Sequence, residues 1–114
     1  MIHFYDCNVS IGLPARREVF PPAPRAEDLL AEMDFNGVQR ALVWHIAQFD
    51  ASPLVGNDLL VAAIQGQPRL FGCWSLLPNQ AREFPPFPEF LHKMQQSHDE
   101  IKSPEFIDFQ IDVC

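Results

Sequence analysis

His45 stands at the end of an apolar run, residues 41–44, and an imidazole there can ligate a metal or act as a general base because it titrates near neutrality. Asp6, Asn8 and Ser10 lie along and just after the first apolar run, Asp50 follows the second, and Ser75 and Asn79 close the third. If the three runs are parallel strands of a β/α barrel, their C-terminal ends share one face and these side chains meet at a common mouth. His45 and Asp6 are then the candidate catalytic pair, Asp6 orienting a ligand or a neighbouring strand residue. Asn8, Ser10, Asp50 and Asn79 are the candidate substrate-binding groups. Each has a plainer alternative: a strand-end histidine that only makes hydrogen bonds, an acid that accepts backbone N–H groups. His3, His92 and His98 have no metal-ligand spacing with one another and read as surface or helix residues.

The elements that position these residues follow from hydrophobic periodicity. Residues 2–7 form a first strand with a polar, glycine-ended exit at 8–12. Four prolines within residues 13–25 remove backbone donors and predict an extended loop over the surface, placed to act as a lid. Residues 26–36 read as a helix, with Leu29, Leu30 and Met33 on one face, Glu27 and Asp28 in the first turn, and Gly37 as its stop. Residues 40–46 are a second strand whose continuous apolar run suits burial on both faces. Asn57 is placed as N-cap of a second helix over 58–65, closed by Gly66 and Pro68. A third strand over 70–77 ends at Pro78-Asn79, and Phe87, Phe90, Leu91 and Met94 recur at helical spacing. The order is βαβαβα. From residue 106 to 113 apolar and polar residues alternate, as in a strand with one wet face, so the tail reads as an edge strand, an intermolecular strand or a disordered end.

Composition sets the class. The 114 residues suffice for one domain but not for the roughly 200–250 that eight β/α units need. With 47% hydrophobic and 20% charged residues the chain has an ordinary globular composition. Fifteen acidic residues against eight basic ones give a net charge of −7, which repels nucleic-acid phosphates and anionic lipid. Without a leader-like or membrane-spanning segment, a soluble, cytoplasmic protein is expected. Cys7, Cys73 and Cys114, odd in number and widely spaced, read as buried free thiols. Phe20, Phe84, Phe87 and Phe90 flank proline-rich loops and either line a pocket or plug a small core.

Three stretches resemble the N-terminal region of the amidohydrolase-related family of barrel enzymes, which includes aromatic-acid decarboxylases and lactone hydrolases. The first is Asp6-Cys7-Asn8-Val9-Ser10-Ile11-Gly12, where the family typically has Asp-x-His-x-His-x-Gly. The second is Asp28 to Asp34, running on through Gly37-Val38 to Arg40-Ala41-Leu42-Val43. The third is Gly56-Asn57-Asp58-Leu59-Leu60, followed by Pro68-Arg69-Leu70-Phe71-Gly72 and Leu77-Pro78. The resemblance covers residues 1–96 and implies the first three units of a partial TIM-type (β/α)8 barrel, with residues 97–114 a divergent, strand-like tail. It implies metal-assisted hydrolysis or decarboxylation of small carboxylates or lactones by intact relatives, with zinc or manganese as cofactor. Here Asn8 and Ser10 occupy the places of the two histidines, and their neutral oxygens hold a transition metal far more weakly than imidazole. No metal site is expected in this chain, which reads as truncated or fragmentary and inactive alone.

Three barrel units leave sheet edges open, so a homo-oligomer is expected. Two other readings stand beside this one: a non-enzymatic α/β binding or self-association module, and a complete doubly wound domain with a ligand at its strand ends.

Overall fold

The computed structural model of the chain describes residues 2–17, 19, 22–76, 85–101 and 110–113. Strands and helices alternate along it. The strands are β1 (Phe4–Ile11), β2 (Val38–His45), β3 (Leu70–Leu76) and β4 (Gln110–Val113). The helices are α1 (Ala26–Asn36), α2 (Ala47–Asp50), α3 (Pro53–Ile64) and α4 (Phe87–Ile101). The strands are all parallel and lie in the order β1-β2-β3-β4.

This order has no reversal point, which separates it from a doubly wound sheet, where the strand order switches direction and helices cover both faces. Sequential parallel strands with crossovers of the usual hand put every helix on one face, and the packing agrees. A Cβ built on Gly72 would touch Ile64 and Leu60 of α3, and Trp74, two residues on, meets Phe90 of α4 edge-on at 5.6 Å. Leu29 and Met33 of α1 join the same cluster as Ala41 and Val43 of β2. The core is thus one layer between sheet and helices, and Val43, Leu60 and Leu70 at its centre are fully buried. Burying each such side chain stabilises the fold by about 1.5–3 kcal/mol. The molecule measures 44 × 39 × 20 Å, and the 20 Å dimension is that of one sheet plus one helical layer.

Local sequence explains most element ends. α1 occupies the expected residues and stops at Gly37, whose N–H donates to Asp34 O in a left-handed turn. β1 runs on through residues 8–11, which the sequence assigns to an exit loop; Ile11 is buried opposite His45 and holds the strand in register. A bulge between Asp6 and Val9 absorbs the mismatch, the Asp6 carboxylate accepting the Asn8 N–H at 3.0 Å. α3 begins five residues before its expected start, because Ser52-Pro53 caps it: Ser52 Oγ accepts the Val55 N–H and Pro53 takes the first turn. Asn57 is therefore not an N-cap but lies inside the helix, buried.

Arg69 ties the opposite end of the sheet together, donating to Asp34 Oδ1 at 2.6 Å and to the Val38 and Gln39 carbonyls at 2.8 Å. α4 passes through residues 96 and 97 without a break, and β4 joins the sheet edge beside β3. Residues 106–109 of the alternating tail, Phe20, Phe84 and Cys114 lie outside the described residues. Of the remaining thiols Cys73 is buried, whereas Cys7, read as buried, is exposed on the edge strand β1. Phe90 is a core residue and Phe87 is exposed. No helix among the described residues is long and apolar enough to cross a membrane.

Candidate functional site

β2 and β3 pair only as far as Val43 and Gly72, yet β3 continues to Leu76. Two buried side-chain amides occupy the wedge that opens between them. Gln48 donates from Nε2 to Cys73 O at 2.9 Å and to Asn57 Oδ1 at 2.8 Å, while its Oε1 accepts the His45 N–H at 3.2 Å. Asn57 accepts the Ser75 N–H and donates to Ser75 O, both at 2.9 Å. Together they stand in for the missing strand and satisfy a backbone edge that would otherwise be buried without partners. Gly56 makes this approach of α3 to α2 sterically feasible, since a Cβ there would overlap the Gln48 backbone.

The other side of the same end is built around β1 and β2. Trp44 donates from its indole N–H to Asn8 Oδ1 at 2.9 Å, and its ring meets Phe49 edge-on at 5.1 Å. Ser10 pairs with Trp44 across the strands and is half-buried. Asp50, at the end of α2, accepts the Ala15 N–H at 2.7 Å and so fastens the proline-rich loop. That loop leaves at Gly12 and returns at Ala23, where the Gly12 N–H meets Ala23 O at 3.0 Å.

His45 is the hinge of the site. The Ala47 N–H donates to its Nδ1 at 3.1 Å, so the neutral ring carries its proton on Nε2 and presents a donor there. Burial lowers the His45 pKa below its ordinary 6.5, which favours this neutral form. The Nε2 side of the ring lies against Gly12, at φ 107°, where a Cβ would come within 2.7 Å of Cε1 and 3.1 Å of Nε2. A side chain at position 12 would be strained by the backbone and would block the imidazole.

The candidate residues thus divide. His45, Asn8 and Ser10 belong to the β1/β2 mouth, with Asp50 holding its loop. Asp6 serves the bulge below it. Ser75 belongs to the buried amide network through its backbone, and Asn79 lies outside the described residues. Gln48, Trp44 and Phe49 carry no site signal in the sequence, and Asn57 reads there as an N-cap; its place after a glycine within an apolar stretch is the one feature that hints at a buried amide.

These residues do not fit a zinc or manganese ion. The Asn8 amide oxygen is engaged by Trp44, and Ser10 offers a neutral hydroxyl. His45 Nδ1 faces a backbone N–H, and a metal on Nε2 would need the ring proton on Nδ1, against that same donor. Among the described residues no three His, Cys, Asp or Glu side chains form a group that could hold a metal ion. Comparison of the chain with protein-family models, with characterised proteins and with solved structures gives no match.

Proposed function

We propose that the chain is part of a β/α barrel of the amidohydrolase-related type whose strand-end mouth has exchanged metal binding for hydrogen-bond recognition of a small neutral carbonyl compound, an ester or lactone. The observation that carries this reading is the occupied Nδ1 of His45, which leaves a neutral ring with an N–H donor at Nε2. Such a donor suits a carbonyl oxygen, whereas the net charge of −7 disfavours a free carboxylate. Trp44 and Phe49 form an aromatic pair at the same end of the sheet, in keeping with small-molecule sites that combine apolar surface with a few polar groups. Asp50 pins Ala15, at the start of the segment that leaves the strand end at Gly12, and Gly12 N–H meets Ala23 O. A barrel rather than an open sheet is supported by the sequential strand order with helices on one face.

Calorimetric titration tests the site. γ-Butyrolactone should bind, His45→Phe should abolish the heat, and acetate and zinc should give none. Stoichiometric zinc binding lost on Asn8→Ala would contradict the exchange and restore the metal-dependent reading.

A further inference from the structure

α2 is a single turn, and each of its four residues holds a different part of the molecule. The Ala47 N–H donates to His45 Nδ1 at 3.1 Å, at the end of β2. Gln48 reaches the buried edge of β3 through Cys73 O. Phe49 lies edge-on to Trp44. Asp50 accepts the Ala15 N–H at 2.7 Å and so fastens the start of the proline-rich segment. A helix this short has no stability of its own. Its backbone hangs on the residues where it begins: the Phe49 and Asp50 N–H groups both donate to Ile46 O, and the Ala51 N–H to Ala47 O, each at 3.0 Å. The placing of Asp50 therefore depends on how the chain turns at Ile46 and Ala47, directly beside the His45 ring.

That ring is confined on two sides. The Ala47 N–H meets Nδ1, and Gly12 passes close to Cε1 and Nε2. The neutral ring can accept at Nδ1, whereas the imidazolium carries a proton on both nitrogens and cannot. Two donors then face each other across 3.1 Å, and with Gly12 behind the ring the relief comes from the Ala47 side. The surrounding elements carry Asp6 of β1, Arg16 and Arg17 of the segment, Glu27 of α1, Asp50 of α2 and Asp58 of α3. None of them moves the His45 titration, which burial alone lowers, so among the described residues no carboxylate holds the charged ring in place.

We propose that α2 couples the protonation of His45 to the bond between Asp50 and Ala15, so that the start of the proline-rich segment is fastened when the ring is neutral and released when it is charged. Gln48 stays in place, because its bonds to Cys73 O and Asn57 are buried, and the change is confined to the two ends of the turn. Because burial lowers the His45 pKa below 6.5, the segment is fastened at neutral pH and released only in the acid range. The device does not depend on what the strand ends bind.

The test is an amide titration of the whole chain by proton–nitrogen correlation NMR, from neutral pH into the acid range, with the His45 ring followed in the same samples. The Ala15 and Ala47 amide protons should move upfield together, at the midpoint of the His45 ring, while the Ser75 amide, held by Asn57, stays where it is. His45→Asn keeps an acceptor for Ala47 but does not titrate, and should hold the Ala15 amide still over the range in which the wild-type ring takes its proton. Asp50→Asn keeps an acceptor for Ala15 without a titrating group there, and its Ala15 amide should still follow His45. An Ala15 amide that stays still in the wild type or in Asp50→Asn, or that moves unchanged in His45→Asn, overturns the coupling. So does a Ser75 amide that moves at the same midpoint, since the change is then unfolding of the whole chain.

Discussion

Two sets of polar side chains sit at the same end of the same sheet and live in different surroundings. Between β2 and β3 the amides of Gln48 and Asn57 are 4% and 2% exposed, and they bond to each other and to strand backbone. Between β1 and β2, Asn8 and Trp44 bond to one another at the surface, with His45 half-buried beside them. The first set completes the sheet, because a buried unpaired backbone group costs about 1–3 kcal/mol and these amides remove several at once. The second set can exchange its partners for a ligand, because water already competes for them. Strand-end position alone does not mark a functional residue; burial and the source of its partners do.

The sharpest way to break this contrast is Asn57→Leu, which fills similar space but strands the Ser75 N–H, the Ser75 carbonyl and one Gln48 donor. A loss of about 3 kcal/mol or more in urea unfolding is expected. Gly56→Ala comes next: its Cβ overlaps Gln48 backbone rather than a movable side-chain tip, and a loss of about 1–3 kcal/mol is expected from the same measurement. Asn8→Ala, which removes one exposed hydrogen bond, should cost about 0.5 kcal/mol and leave the melt cooperative. If Asn8→Ala costs as much as Asn57→Leu, the contrast between the two sets is wrong.

The smallest effect is that of pH. His45 has its pKa lowered by burial, so the unfolded chain binds its proton more readily than the folded one. Its contribution is fully present above pH 6.5 and falls as pH drops from 6.5 toward the folded value. His45→Asn, which keeps an acceptor for the Ala47 N–H, should flatten that part of the stability profile in chemical denaturation at closely spaced pH values.

Periodicity and stop signals made α1, β2, β3 and the start of α4 legible in the sequence, because an apolar stripe with a glycine or proline boundary has few alternative readings. The start of α3 is less legible: Asn57 reads as the cap, whereas Ser52 caps the helix and Gly56 and Asn57 are buried inside it against α2. β1 reads shorter in the sequence than it is, because Asn8 and Ser10 look like loop residues and their strand conformation depends on pairing with β2. His45 was found from its position, but its proton donor role was not, since that is set by the Ala47 N–H two residues away. The amide network joins residues 9 to 25 apart in the chain, a coincidence that spacing does not reveal.

The proposed function turns on the state of His45, which long-range proton–nitrogen correlation spectra of the ring read directly. Near pH 8 the free chain should show His45 with Nδ1 unprotonated and the proton on Nε2, and γ-butyrolactone should shift the Nε2 resonance while leaving the tautomer unchanged. A ring protonated on Nδ1, or an Nε2 resonance that moves only with zinc, would contradict it.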